Sequence, residues 1–212
     1  MNILLINSSP KRHQSCTYIL AQTIIQQLSK QSTVEVIETD ATKLPHLDSD
    51  YSTTLCSPGV MCDESVGSLS LSNQLISDLD KADLVIIASP MHNFSLPSGL
   101  KSWVDHVVRA GRTFKITSTG KQGLLNDKPV YVLVSSGGSF SGKDAYQPDF
   151  FTPYMTEVMA TVGLNNIQFF TIEGTAANPE AVREQIEARQ NQVKYHLENV
   201  LISQKRTVDA SY

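Results

Sequence analysis

Long apolar runs are missing from this sequence: the longest span four or five residues, against roughly 20 for a membrane-spanning helix. The start, MNILLINSSP, has neither a basic segment nor an extended apolar stretch, so it is not expected to be a secretory signal. Cysteine is scarce. Cys16, Cys56 and Cys62 make an odd total of three, which excludes a disulfide framework and points to a reducing, cytoplasmic setting. Five residues separate Cys56 from Cys62. This is no established zinc spacing, so both read as ordinary loop thiols. The five histidines are scattered and form no H-E-x-x-H pair, so no metal site is expected. Basic residues are outnumbered, with 17 Lys and Arg against 21 Asp and Glu, and they form no stripe. Nucleic-acid binding therefore has no electrostatic basis.

Alternating strand and helix signals fill the chain. Short apolar runs predict strands over 2–8, 33–39, 83–89, 129–136 and 167–174. Helical spacing of apolar residues predicts helices over 15–30, 70–82, 97–111, 150–163 and 178–201. The fourth-strand helix is the least regular of these, and 97–111 is the most clearly bounded, with Pro97 near its start and Gly111 at its end. Five strands each followed by a helix imply an α/β fold: one doubly wound five-stranded parallel sheet, order 2-1-3-4-5, with helices on both faces. A single domain over 1–203 and a polar tail over 204–212 are expected. The segments 40–69 and 113–128 are insertions, the second a candidate hairpin.

One motif invites a wrong turn. SSGGSFSGKD, residues 135–144, contains the G-x-x-x-x-G-K spacing of a phosphate-binding loop. Asp144 stands where such a loop needs a magnesium-binding Ser or Thr, and no apolar helical period follows. The loop needs another purpose, and the sheet topology supplies one. Ligands of doubly wound sheets bind beyond the carboxyl ends of the strands, at the topological switch. The loop after the first strand, NSSPKRHQSCT, is rich in hydroxyls and opens a helix, with Lys11, Arg12 and His13 adding positive charge. Helix-start N–H groups and hydroxyls make a phosphate nest. Without G-x-G-x-x-G, a monophosphate is expected rather than a dinucleotide pyrophosphate. After the third strand, Met91, His92, Asn93 and Phe94 offer an apolar face and polar backbone suited to a flat ring. The glycines of SSGG let backbone N–H groups approach such a ring from the other side. Together the three loops describe a site for flavin mononucleotide (FMN).

PMHNFSLPSGLKSWVDHVVRAGRTF, residues 90–114, is similar to the P-M-Y-N-F…P…L-K-x-W-x-D…R-x-G-x-T-F run of the FMN-dependent azoreductases. These are also described as FMN-dependent NADH:quinone oxidoreductases of flavodoxin-like fold. The resemblance runs from residue 2 to about residue 200. It implies a phosphate site at Ser9, Ser15, Cys16 and Thr17. It also implies ring contacts from Met91, His92, Asn93 and Phe94, and from Ser135, Ser136, Gly137 and Gly138. His92 replaces the usual Tyr, and Ser136 stands where some members carry Arg or another larger residue.

The same resemblance implies a tightly bound, non-covalent FMN and NADH or NADPH as electron donor. The acceptors would be quinones or azo compounds, reduced in a ping-pong cycle. It further implies a homodimer in which the 113–125 insertion reaches the partner's site. No side chain is obligatory as acid or base; His92 is a candidate proton donor, because imidazole titrates near neutral pH. Two other classes compete: a flavodoxin-like electron carrier without NAD(P)H-linked activity, and a hydrolase. Carriers of that kind are usually strongly acidic around the flavin, and a hydrolase would want a G-x-S-x-G elbow, which the sequence lacks.

Overall fold

The computed structural model describes residues 1–56 and 64–209. Cys62, and residues 57–63 of the 40–69 insertion, lie outside the described residues. Five parallel strands form the central sheet: β1 (Asn2–Asn7), β2 (Glu35–Asp40), β3 (Leu84–Pro90), β6 (Val130–Ser135) and β7 (Ile167–Ile172). Their spatial order is β2-β1-β3-β6-β7, the doubly wound order 2-1-3-4-5. Two further strands, β4 (Phe114–Thr117) and β5 (Gly120–Gly123), pair as an antiparallel hairpin within the second insertion.

Alternation along the central strands assigns each side chain to a face. Leu4, Ile6, Val85, Ile87, Val132 and Val134 point to one side. There they meet α3 (Gly67–Lys81), α4 (Ser98–Val107) and α5 (Thr152–Val162). Ile3, Leu5, Leu84, Ile86 and Leu133 point to the other, against α1 (Cys16–Ser29) and α6 (Pro179–Asp209). Burial on both faces explains why the middle strands read as unbroken apolar runs. The β2 edge is different: Val36 and Ile37 remain exposed. Helix α6 continues to Asp209, through positions set apart in the sequence as a tail.

The 40–69 insertion carries structure that its composition does not announce. A 3-10 turn over Ala41–Lys43 leads to α2 (Ser49–Cys56). Asp48 accepts from the Tyr51 N–H at 2.9 Å and from the Ser68 N–H at 2.7 Å, so one carboxylate joins the starts of α2 and α3. These bonds hold its carboxyl below the usual range. Tyr51 is the anchor: it is buried, and its hydroxyl donates to the Asp105 carbonyl at 3.1 Å.

Candidate functional site

At the end of β1 the chain turns back on itself through polar side chains. Asn7 Oδ1 accepts from the Ser9 N–H, and Ser9 Oγ accepts from the Lys11 N–H. The Ser8 N–H is taken by the Ala88 carbonyl of β3. Ser15 caps α1, its hydroxyl accepting from the Tyr18 N–H at 3.1 Å. The next two helical N–H groups, of Cys16 and Thr17, have no partner among the described residues, as helix geometry requires of a first turn. Ser9, Ser15 and Thr17 are buried. The basic residues of this loop divide. Arg12 lies 3.8 Å from Asp40, and His13 lies 3.4 Å from Glu38, so both turn toward the end of β2. Lys11 faces the cavity.

After β3, His92 and Ser95 exchange two backbone hydrogen bonds, of 2.9 and 3.0 Å. Between them Asn93 and Phe94 both have positive φ, 49° and 69°. That is the geometry of a type I′ turn, rarely adopted by a residue such as Phe. The N–H groups of Asn93 and Phe94 are left without partners among the described residues. The Met91 N–H donates to the Ser135 carbonyl at 2.7 Å, tying this loop to the one after β6.

Together these loops line a cavity of about 350 Å³. Seven sequence-predicted residues face it: Ser9, Ser15, Cys16, Met91, His92, Ser135 and Gly137. The other five are placed around it. Thr17 is buried beside Ser15, 3.4 Å between hydroxyls. Asn93 and Phe94 form the turn. Ser136 is buried, and its N–H is committed to the Ile172 carbonyl, so it has no free backbone donor to offer a ligand. Gly138 lies beneath Tyr146 and Gln147: a Cβ there would come within 2.7 Å of the Tyr146 hydroxyl.

Sequence reasoning missed Thr175 and Val182, which also line the cavity. They follow β7, a strand outside the switch point on which that reasoning relied. The Thr175 N–H donates to the Ser136 carbonyl at 2.9 Å, which folds the β7 loop over the β6 loop. A run of turn residues, GTAANP, was the available signal.

The loop with phosphate-loop spacing does hold an anion, and that anion is the protein's own. The Glu173 carboxylate accepts from the Ser139 hydroxyl at 2.9 Å, the Phe140 N–H at 2.8 Å and the Ser141 N–H at 3.2 Å, and also from the Ser141 hydroxyl. Partial burial pushes the carboxyl pKa up, but these bonds outweigh it and hold the group below its ordinary range. Residues 139–141 are therefore pinned rather than free at the surface, with Phe140 buried in the core. Lys143 lies beyond them, exposed.

Phosphate-type donors at a helix start, two loops flanking a slot and an open doubly wound sheet define the flavodoxin-like class. The sequence profile of a family described as having a flavodoxin-like fold matches residues 1–197, and the chain belongs to that family. Among curated relatives, an FMN-dependent NADH:quinone oxidoreductase of Pseudomonas fluorescens is 43% identical over 86% of this chain and 88% of its own. One from Agrobacterium fabrum is 34% identical over 91% and 96%. The solved structure of an FMN-dependent NADH-azoreductase from Bacillus anthracis, in complex with FMN, superposes with a TM-score of 0.79. That match has 22% identity and covers 94% of this chain and 98% of that one.

Proposed function

We propose that the cavity holds FMN and that the protein uses NADH to reduce quinones and azo compounds. The observation that carries this is the donor set. At one end stand the N–H groups of Cys16 and Thr17, unpartnered among the described residues, with the Ser9 and Ser15 hydroxyls and Lys11, and none of the described residues lining the cavity carries a carboxylate. Such a set suits a phosphate. At the other end, Met91 and Pro90 present apolar surface and the Gly137 N–H lacks a partner among the described residues, as do those of Asn93 and Phe94 in the adjoining turn. That end suits a flat ring with polar edges. A cavity of 350 Å³ falls within the usual range of cofactor sites.

When bound, the flavin supplies the hydride chemistry. Ser9, Ser15 and the Cys16 and Thr17 N–H groups would hold the phosphate, and the β3 and β6 loops at Met91, His92, Ser135 and Gly137 would hold the ring. His92, exposed on the cavity wall, is the candidate proton donor to the acceptor. Relatives named as NADH:quinone oxidoreductases favour an enzyme over an electron carrier. Cys16, a free thiol at the cavity, fits a cytoplasmic setting.

A homodimer is part of the same reading. A second, larger depression of about 910 Å³ is lined by α2, α4, α5 and the β5 edge. It carries exposed apolar side chains at Leu47, Leu55 and Tyr154, the kind of patch that marks an interface.

The test is anaerobic. Purified protein should be yellow; NADH should bleach it, and a quinone should restore the colour. A coloured protein that NADH does not bleach is a carrier, and a colourless one that reconstitutes with no flavin overturns the reading.

A further inference from the structure

The two loops assigned to the ring are joined by a residue that belongs to neither. Gln147 follows the β6 loop and is half-buried. Its side-chain Nε2 donates to the Ser136 hydroxyl at 2.8 Å, and it lies 3.5 Å from Met91 Sδ. Ser136 belongs to the β6 loop and Met91 to the β3 loop. The sulfur can only accept, so the amide is oriented with its NH₂ toward both. Gln147 is itself held in place. Its N–H donates to the Ser139 carbonyl, and three residues on the Phe150 N–H donates to the Phe94 carbonyl at 3.1 Å. The strap 146–150 thus crosses from one loop to the other.

Glycine at 138 makes room for this arrangement. A Cβ at Gly138 would lie 2.5 Å from Gln147 Oε1 and 2.7 Å from the Tyr146 hydroxyl, closer than real Cβ atoms come. Both are ends of flexible side chains, so Gly138→Ala would displace the amide and leave the backbone in place.

We propose that Gln147 is a positioning residue for the flavin ring: it sets the spacing of the two ring loops through Ser136 and Met91, without touching the ring. The inference rests on the FMN reading above. It explains how a small serine is accommodated at 136. The hydroxyl gives Gln147 a partner, and the Gln147 amide bridges from there to the opposite loop. The Ser136 backbone is already committed to Ile172 and Thr175, so its side chain is what remains to transmit the position of the strap.

The experiment compares two ligands on the full-length apoprotein: FMN, and riboflavin, which has the ring but no phosphate. Fluorescence titration gives the Kd of each, and visible circular dichroism reports the ring's surroundings. Gln147→Leu is expected to weaken both ligands by the same factor, about five- to tenfold, and to change the visible dichroism. Gly138→Ala is expected to reproduce this, and it decides the matter if Gln147→Leu does not fold. Ser15→Ala is the contrast, weakening FMN while leaving riboflavin within twofold. Affinities within twofold of wild type, with unchanged dichroism, in whichever of Gln147→Leu and Gly138→Ala fold overturn the proposal. So does a loss confined to FMN, which would place Gln147's effect at the phosphate. A wild-type chain that binds neither flavin removes the FMN reading as well, an outcome distinct from wild-type binding with silent variants.

Discussion

Lys143 has the charge and the spacing of a phosphate-loop lysine, and its surroundings remove it from that role. The N–H groups beside it close on Glu173, and the lysine projects past them into solvent. Lys143→Ala should leave FMN affinity within twofold of wild type, measured by the same titration. Glu173 should matter for folding. Its folded-state pKa is lowered, so its stabilisation is complete above the ordinary glutamate range, near ~4.3, and is lost as pH falls through the lower folded value. Glu173→Gln removes the charge and one acceptor oxygen. It should reduce stability at pH 7 by about 1–2 kcal/mol, and the gap to wild type should shrink as the wild-type carboxylate protonates. Urea midpoints at pH 7, 5 and 3.5 check this; a gap that stays constant down to the lowest pH would sink the idea.

At the scale of elements, backbone packing decides where the hairpin sits. Gly123 on β5 lies against the last turn of α5, where a Cβ would come within 2.3 Å of the Gly163 nitrogen and 2.6 Å of the Val162 carbonyl carbon. These are backbone atoms, unable to swing away. The Leu125 N–H donates to the Val162 carbonyl at 3.1 Å, closing the contact. Gly123→Ala should lift the hairpin from α5 and cost about 1–3 kcal/mol, seen as a lower urea midpoint and faster amide exchange in β4 and β5. Unchanged exchange in those strands would show that α5 yields instead. This contact also marks what could be read from the sequence. The strands and large helices were legible because burial leaves a period, as with Leu100, Trp103, Val104 and Val107 on α4. Helix α2 was not, since SDYSTTLC depends on one buried tyrosine and an aspartate cap. Seven cavity residues were legible because chemistry and strand ends coincide in the β1, β3 and β6 loops. Gln147, Glu173 and Thr175 act through partners 11 to 56 residues away, and such partners are set by how loops fold over the sheet, which leaves no local pattern.

For the whole molecule, the two faces of the sheet have different exposure. Helices α1 and α6 close one face. On the other, α4 and α5 leave the 910 Å³ depression between them, with Leu55 of α2 at 43% exposed and Tyr154 at 36%. Its lining also carries Lys121 with Asp105 and Glu157. Opposite charges on one apolar patch suit pairing with a second copy, because an isologous two-fold contact sets each patch against itself. Lys101 pairs with Asp105 within the chain, which leaves Glu157 as the carboxylate for a partner's lysine. A stable pair would cover roughly 800 Å² on each copy, enough to take in the rim of the depression and the neighbouring hairpin. Light scattering should therefore give twice the chain mass of 23.3 kDa. Tyr154→Glu puts a charge into the apolar part and should raise the dimer Kd more than about tenfold, while far-UV circular dichroism stays unchanged. Riboflavin titration of the resulting monomer then separates two cases. Retained affinity means that one chain completes the ring pocket, and lost affinity means that the partner supplies part of it. A wild-type chain that is monomeric at micromolar concentration would sink the dimer and leave the depression without a role.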